Sequence, residues 1–101
     1  MIRESYVVVD DIEEAESLAK RVCCGENLHI KFKTYSLKNI FMNEVEIHSP
    51  GVSFINCNSN KDKFFENIKN SSYGIVFNNV EKCYDEEILD YIKNNKGIYI
   101  C

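Results

Sequence analysis

A strand–helix–strand unit is encoded in residues 52–77, VSFINCNSNKDKFFENIKNSSYGIVF. Val52–Ile55 and Gly74–Phe77 are short apolar runs bounded by polar residues, which is the pattern of strands in a sheet. Between them Phe64 and Ile68 recur at helical spacing, so the connecting segment is predicted to be a helix. Because two strands joined by a helical crossover lie parallel, this stretch predicts an α/β fold.

The alternation of strands and helices continues on both sides of this unit. Towards the C-terminus, Asp85–Lys93 has helical periodicity and Ile98–Ile100 has the composition of a strand. Towards the N-terminus, the apolar run Tyr6–Val9 is predicted to be a strand that is buried on both faces. A helix is then predicted to begin at Asp11, because Asp11 and Glu14 have the spacing of a capping box.

Two further segments alternate between apolar and polar residues. The outward positions of Leu28–Lys33 carry lysines, and those of Glu44–His48 carry glutamates. Opposite charges suit cross-strand pairs, so the two segments are predicted to form an antiparallel, hairpin-like edge of the sheet. Ser36–Met42, which lies between them, is predicted to form one short helical turn.

Together these segments predict a single domain over residues 1–101, since a chain of this length suffices for one domain. The predicted architecture is a three-layer α/β domain. It has a mixed, mostly parallel sheet of five or six strands, about three helices and a hairpin-like edge.

The composition argues against several classes of function and indicates the cellular compartment. Twelve Lys and Arg against sixteen Asp and Glu give a net charge of −4, which argues against direct nucleic-acid binding. No apolar run has the length of a membrane span, and the N-terminus lacks the apolar core of a signal peptide. The five cysteines are odd in number and show no C-x-x-C spacing, so a reducing cytoplasm is the predicted location.

Polar side chains follow three of the predicted strands at their carboxyl ends, where open α/β sheets bind ligands. Asp10 and Asp11 supply two carboxylates, which are candidate ligands of a divalent metal such as Mg²⁺. The other candidates form a predicted anion- or ligand-binding rim: Asn56, Asn58, Ser59, Asn78, Asn79 and Glu81. The alternative interpretation is that these residues cap helices and form turns, as Asp, Asn and Ser commonly do.

The N-terminal strand and its acidic end, Tyr6–Asp11, resemble the opening of response-regulator receiver domains. The family has a phospho-accepting Asp after its third strand, and Asn56 stands at the comparable position here. The family's lysine on the last strand has no counterpart in this sequence. The resemblance therefore implies a receiver-like domain that has lost phosphotransfer.

Asp10 and the later run Gly74–Glu81 also resemble toprim domains of primases and small nucleases. That family has an acid after an early strand and an Asp-x-Asp pair after a later one, where this chain has mostly amides. The resemblance implies a degenerate divalent-metal or phosphate site at the strand ends. The sequence contains no G-x-x-x-x-G-K-[ST] motif, which excludes nucleotide hydrolysis by a P-loop.

With no complete catalytic motif, the sequence favours a binding function over an enzyme. We expect a small cytosolic protein-interaction or regulatory module that acts by stoichiometric binding, such as an inhibitor encoded by a phage or mobile element. Its expected partner is another protein or a second copy of the chain in a homo-oligomer, and no cofactor is expected. The alternatives are the metal or phosphate site, with Mg²⁺ as cofactor, and a subunit completed by another chain.

Overall fold

The computed structural model describes residues 6–26, 28–71 and 74–94 and the backbone of residues 98–100. The chain is a small α/β fold in which strands and helices alternate. Its elements are β1 (Val7–Val9), α1 (Ile12–Cys23), β2 (His29–Phe32), α2 (Tyr35–His48), β3 (Ser53–Asn56), α3 (Lys61–Lys69), β4 (Ile75–Asn78), a 3-10 turn (Val80–Lys82), α4 (Glu86–Lys93) and β5 (Ile98–Ile100).

The strands form two parallel pairs, β1 with β2 and β3 with β4. The short β5 lies between the two pairs, so the strand order is β1-β2-β5-β4-β3. The predicted architecture, a mixed sheet of five or six strands with about three helices and a hairpin-like edge, is wrong, because every described strand pair is parallel. The described chain has four α-helices and two side-by-side parallel pairs of strands, and none of its strand pairs is antiparallel.

The error in the predicted hairpin comes from Glu44–His48, which is the last part of α2. Alternation over five residues is compatible with a strand, but the helix extends back to Tyr35. Over this length Leu37, Phe41 and Val45 are spaced by four and form one buried stripe. The helix forms in preference to the strand because burial of this stripe stabilises three helical turns, whereas the strand would bury only a short segment.

Two cores lie on the two faces of the strands. The first core contains buried residues of α1 and α2, such as Leu18 and Phe41, together with Val9 and Ile30 of the strands. The second contains buried residues of α3, α4, β3, β4 and the turns that follow the two strands: Ile55, Cys57, Phe64, Phe77, Val80, Cys83, Ile88 and Ile92. Two consecutive residues of β4, Val76 and Phe77, belong to different cores, as the alternation of side chains along a strand requires.

The strand order explains why the helices divide in this way. The connections through α1 and α2 cross the sheet in one direction, and those through α3 and α4 return in the other. Right-handed crossovers place connections of opposite direction on opposite faces. The carboxyl ends of β2 and β4 therefore lead to helices on different faces, and they lie on either side of β5.

The second helical layer leaves part of the sheet uncovered. Tyr6, Val8 and Lys31 share the face of β1 and β2 that is opposite to the first core, and we call this surface the open face. His29 lies on the same face beside Tyr6 but is itself buried. Val8 is 43% exposed, so the prediction that β1 is buried on both faces is wrong. None of the helices described here is both long enough and apolar enough to cross a bilayer.

Candidate functional site

A crevice of about 400 Å³ lies between the carboxyl ends of β2 and β4. This is the point at which the chain connections switch from one face of the sheet to the other, and open α/β proteins bind ligands at such points. The polar groups that matter for its chemistry come from both sides: Lys33, Thr34, Lys38, Asn78, Asn79 and Lys82. The volume is in the range of small-molecule sites.

The β2 side of the crevice is formed by the N-terminus of α2. Thr34 is the N-cap residue, and its Oγ1 accepts a hydrogen bond of 3.2 Å from the backbone N–H of Leu37. The first backbone N–H groups of a helix have no partner within the helix, so those of Tyr35 and Ser36 give this end a partial positive charge. The first turn of α2 contains no acidic residue, whereas the first turns of α1, α3 and α4 all do.

The β4 side of the crevice is held in place by Asn79. Its backbone is left-handed, with φ of 58° and ψ of 39°, a conformation that Asn adopts more readily than most residues. Its Nδ2 donates to Asn56 Oδ1 at 3.1 Å, and its Oδ1 accepts from Lys38 Nζ at 3.4 Å. Asn79 thereby connects the end of β3 to α2.

The charge of the crevice is opposite to that of the whole chain. Lys33, Lys38 and Lys82 line it, and none of the described lining residues is acidic. Lys33 also forms an exposed ion pair of 3.1 Å with Asp10, which lies after β1. A chain of net charge −4 thus concentrates three cations beside the positive end of a helix.

Asn78, the last residue of β4, also lines the crevice. Its Oδ1 is buried and accepts no hydrogen bond from the described part of the chain. Most buried polar atoms in native proteins have a partner, and an unsatisfied one costs on the order of 1–3 kcal/mol. Asn78 Oδ1 is therefore an unsatisfied buried acceptor on a residue that lines the crevice.

The two predicted metal ligands lie at the end of β1. Asp11 is the N-cap of α1, and its Oδ1 accepts from the N–H of Glu14 at 2.8 Å. The predicted cap at Asp11 is confirmed, although the carboxylate of Glu14 reaches back to the N–H of Asp10 rather than that of Asp11. No group of three or more His, Cys, Asp or Glu suited to a metal ion is found within the described residues. The metal site stays a prediction.

The predicted rim is brought together only in part. Asn56 and Asn78 are paired in register, and Asn79 is hydrogen-bonded to Asn56. Asn58 and Ser59 form the turn after β3, in which the Asn58 N–H donates to Asn56 Oδ1 and the Ser59 hydroxyl donates to the Asn56 carbonyl.

Glu81 is directed away from the three asparagines. It forms an ion pair of 3.5 Å with Lys31, which belongs to the open face. It therefore contributes to the neighbouring surface, and the structure does not include it among the residues that line the crevice.

The sequence did not reveal the lysines of the crevice. The pattern of Leu28–Lys33 predicts a hairpin edge and Ser36–Met42 a short turn, so it does not place the carboxyl end of β2 among the ends of the parallel strands. The signal that was available is Thr34, a good N-cap residue placed directly after an alternating strand. A helix that begins at Thr34 makes β2 a parallel strand and adds its end to the rim.

Four of the five cysteines lie in the described residues, and all four are free thiols, while Cys101 lies outside them. Burial raises the pKa of Cys57 to about 12, and the neighbouring Cys83 thiol acts in the same direction. Burial is also the main cause of the raised pKa of Cys83. A thiol that stays protonated at neutral pH is a poor nucleophile, so these two cysteines are packing residues.

The strand order also bears on the resemblance to receiver domains. Flavodoxin-like folds, to which receivers belong, have the order 2-1-3-4-5, which differs from β1-β2-β5-β4-β3. The chain therefore does not have the receiver arrangement of strands.

Comparisons with protein-family models, with curated proteins and with solved structures gave no match.

Proposed function

We propose that the protein binds a small phosphorylated molecule in the crevice between β2 and β4. The observation that carries the proposal is the convergence of three lysines and the N-terminus of α2 on one crevice, whose described lining residues include no acid. Helix N-termini and lysines both commonly hold phosphate in proteins. The proposal keeps the phosphate-binding alternative inferred from the sequence and moves its centre from Asp10 to Lys38.

A phosphate ligand would compete with Asn79 for the hydrogen bond donated by Lys38. At 3.4 Å the Nζ–Oδ1 hydrogen bond is long, and its acceptor is a neutral amide. A phosphate oxygen is a stronger acceptor for an ammonium group, because both partners are then charged. We therefore infer that Lys38 exchanges the amide of Asn79 for the phosphate when the ligand binds.

The test is a titration of inorganic phosphate followed by the backbone amide NMR spectrum at low ionic strength. We expect saturable shifts confined to residues 33–38 and 78–82. Lys82→Gln should weaken binding about 5- to 10-fold, because about 1.4 kcal/mol corresponds to a tenfold change. Lys63→Gln is the matched control, since Lys63 is an exposed residue of α3 and its loss changes the net charge equally.

Two outcomes would contradict the proposal. The first is a flat titration in the wild-type protein at low salt. The second is an equal loss of affinity in Lys82→Gln and Lys63→Gln, because binding would then follow net charge rather than the crevice. Adding salt to about 1 M should abolish specific shifts as well, since the Debye length falls to about 3 Å.

We also propose that the open face binds another protein, as the sequence-based prediction of a stoichiometric regulatory module requires. The supporting observation is that Tyr6 is 41% and Val8 43% exposed, side by side on a strand pair that no described helix covers on this side.

The free thiols of the described cysteines favour the cytoplasm as the compartment.

This second proposal is tested with Val8→Lys and a matched control. Ile47→Lys introduces the same charge at another exposed apolar residue, which lies on α2. We expect Val8→Lys to lose either self-association in sedimentation experiments or a captured protein partner, while Ile47→Lys keeps it. A wild-type chain that stays monomeric and retains no partner would overturn this proposal.

A further inference from the structure

The strand β1 is an edge of the sheet, because β2 lies on one side of it and no strand of the described chain lies on the other. Its hydrogen bonds to β2 determine which residues face outward. The carbonyl of Val9 accepts a bond of 3.1 Å from the N–H of Lys33, so the backbone groups of Val9 point toward β2. Successive residues of a strand direct these groups to opposite sides, and the N–H and C=O of Val8 and Tyr6 therefore point away from β2.

The far end of this edge is already occupied. The same alternation directs the N–H of Asp10 outward, and that N–H donates to Glu14 Oε1 at 3.2 Å. Among the described residues of the edge, the groups left for another strand are therefore those of Tyr6 and Val8. Edge strands are commonly protected from pairing by lysines or prolines, and Tyr6–Val9 contains no charged residue and no proline.

The side chains of the same two residues are apolar and exposed, Tyr6 by 41% and Val8 by 43%. If two β1 strands pair antiparallel about Val7, Tyr6 of each copy lies directly opposite Val8 of the other. The outward N–H and C=O groups of both residues then bond reciprocally, and the two side chains form the aromatic and β-branched cross-strand pair that stabilises sheets. The edge is thus complementary to a second copy of itself.

We propose that the chain forms a symmetric dimer in which the β1 strands of two copies pair antiparallel about Val7; this rests on the proposed protein-binding role of the open face. The two sheets join into one continuous sheet, and the two open faces become one surface. The Tyr6 ring is oriented for this contact by Lys31, whose Nζ lies 5.3 Å from the ring centroid. Because one short strand pair is a small interface, we expect a dissociation constant in the micromolar range.

The first test is sedimentation equilibrium of the wild-type chain over about 1–500 µM. Val8→Pro removes the outward N–H and leaves the bonds between β1 and β2 in place, since an edge strand tolerates proline where the N–H faces solvent. Val8→Thr is the matched control, because threonine is β-branched and keeps the N–H. We expect Val8→Thr to dimerise like the wild type and Val8→Pro to dimerise at least about 10-fold more weakly.

The second test fixes the register by cross-linking and does not depend on the proline variant. Val7→Cys is made in a Cys24→Ser background, which removes an exposed thiol. Directly opposite residues of a non-hydrogen-bonded antiparallel pair have Cα atoms about 4.5 Å apart, a distance that a disulfide spans. Oxidised glutathione should therefore convert Val7→Cys into a covalent dimer. Tyr84→Cys in the same background is the control, because Tyr84 is 89% exposed and lies outside β1, and it should stay mostly monomeric.

The outcomes separate this inference from the proposed function. If the wild type is monomeric throughout and captures another protein that Val8→Lys loses, the inference is wrong and the open-face proposal stands. If the wild type is monomeric and captures nothing, both are wrong. If a folded Val8→Pro dimerises as tightly as Val8→Thr, or if Tyr84→Cys cross-links as readily as Val7→Cys, the copies do not pair through β1 and the inference is wrong.

Discussion

Replacement of Asn78 by leucine should stabilise the unliganded protein, which is unusual for a polar-to-apolar change at a candidate site. The Oδ1 of Asn78 is buried and accepts no hydrogen bond from the described residues. Removing an unsatisfied buried acceptor recovers part of a penalty on the order of 1–3 kcal/mol. Leucine is also better suited than asparagine to a strand.

We expect a net gain of about 1 kcal/mol, because imperfect packing of leucine offsets some of the benefit. For a domain of this size, 1 kcal/mol corresponds to a rise in Tm of roughly 4–8 °C. The assay is urea unfolding followed by far-UV circular dichroism, together with a thermal melt. Both are carried out in buffer without phosphate, so that ligand binding does not contribute.

Asn56→Leu is the control with the opposite sign. Asn56 Oδ1 accepts from the Asn58 N–H at 2.9 Å and from Asn79 Nδ2 at 3.1 Å, and leucine loses both bonds. We expect a loss of about 1 kcal/mol. The reasoning is refuted if Asn78→Leu lowers the free energy of unfolding by 1 kcal/mol or more, because the Asn78 side chain would then have a native partner.

Three further results are expected. Thr34→Ala removes the acceptor of the Leu37 N–H and should lower the free energy of unfolding by about 1 kcal/mol, whereas Thr34→Ser keeps the cap and should recover most of it in the same urea titration. A thiol reagent at pH 8 should modify the exposed Cys24 in the native protein and leave Cys57 unmodified until the chain unfolds. Labelled peptides are identified by mass spectrometry, and simultaneous labelling of both cysteines would contradict this expectation. The free energy of unfolding should fall as pH rises above 9.0 towards about 12, because in that range the Cys57 thiol ionises in the unfolded chain but stays protonated in the folded one. Cys57→Ala should flatten this part of the pH profile.

The sequence predicted the elements whose pattern is long or well bounded. The strand–helix–strand unit from Ser53 to Asn78 and the helices capped by Asp11 and Asp85 are present with small shifts of their ends. The failure occurred at Glu44–His48, where five alternating residues fit two structures equally well. Only tertiary packing of the stripe that ends in Val45 against α1 selects the helix, and a short window does not contain that information.

The candidate site was predictable only where the strand directions were predicted correctly. Asn56, Asn78 and Asn79 were grouped because β3 and β4 were expected to be parallel, and the structure joins them. Lys33 and Lys38 lie outside the predicted rim because the alternating sequence of β2 predicts a hairpin strand. Position in a sheet depends on strand order, which is a long-range property that neither periodicity nor local propensity encodes.

The division of Val76 and Phe77 between two cores has a consequence for cooperativity. A strand whose consecutive side chains anchor opposite layers cannot release one layer without disturbing the other. We expect no partially unfolded state in which α1 and α2 stay packed while α3 and α4 separate. In native-state hydrogen exchange, the amides of β4 should therefore open only with the whole molecule, and their protection should report its global free energy of unfolding.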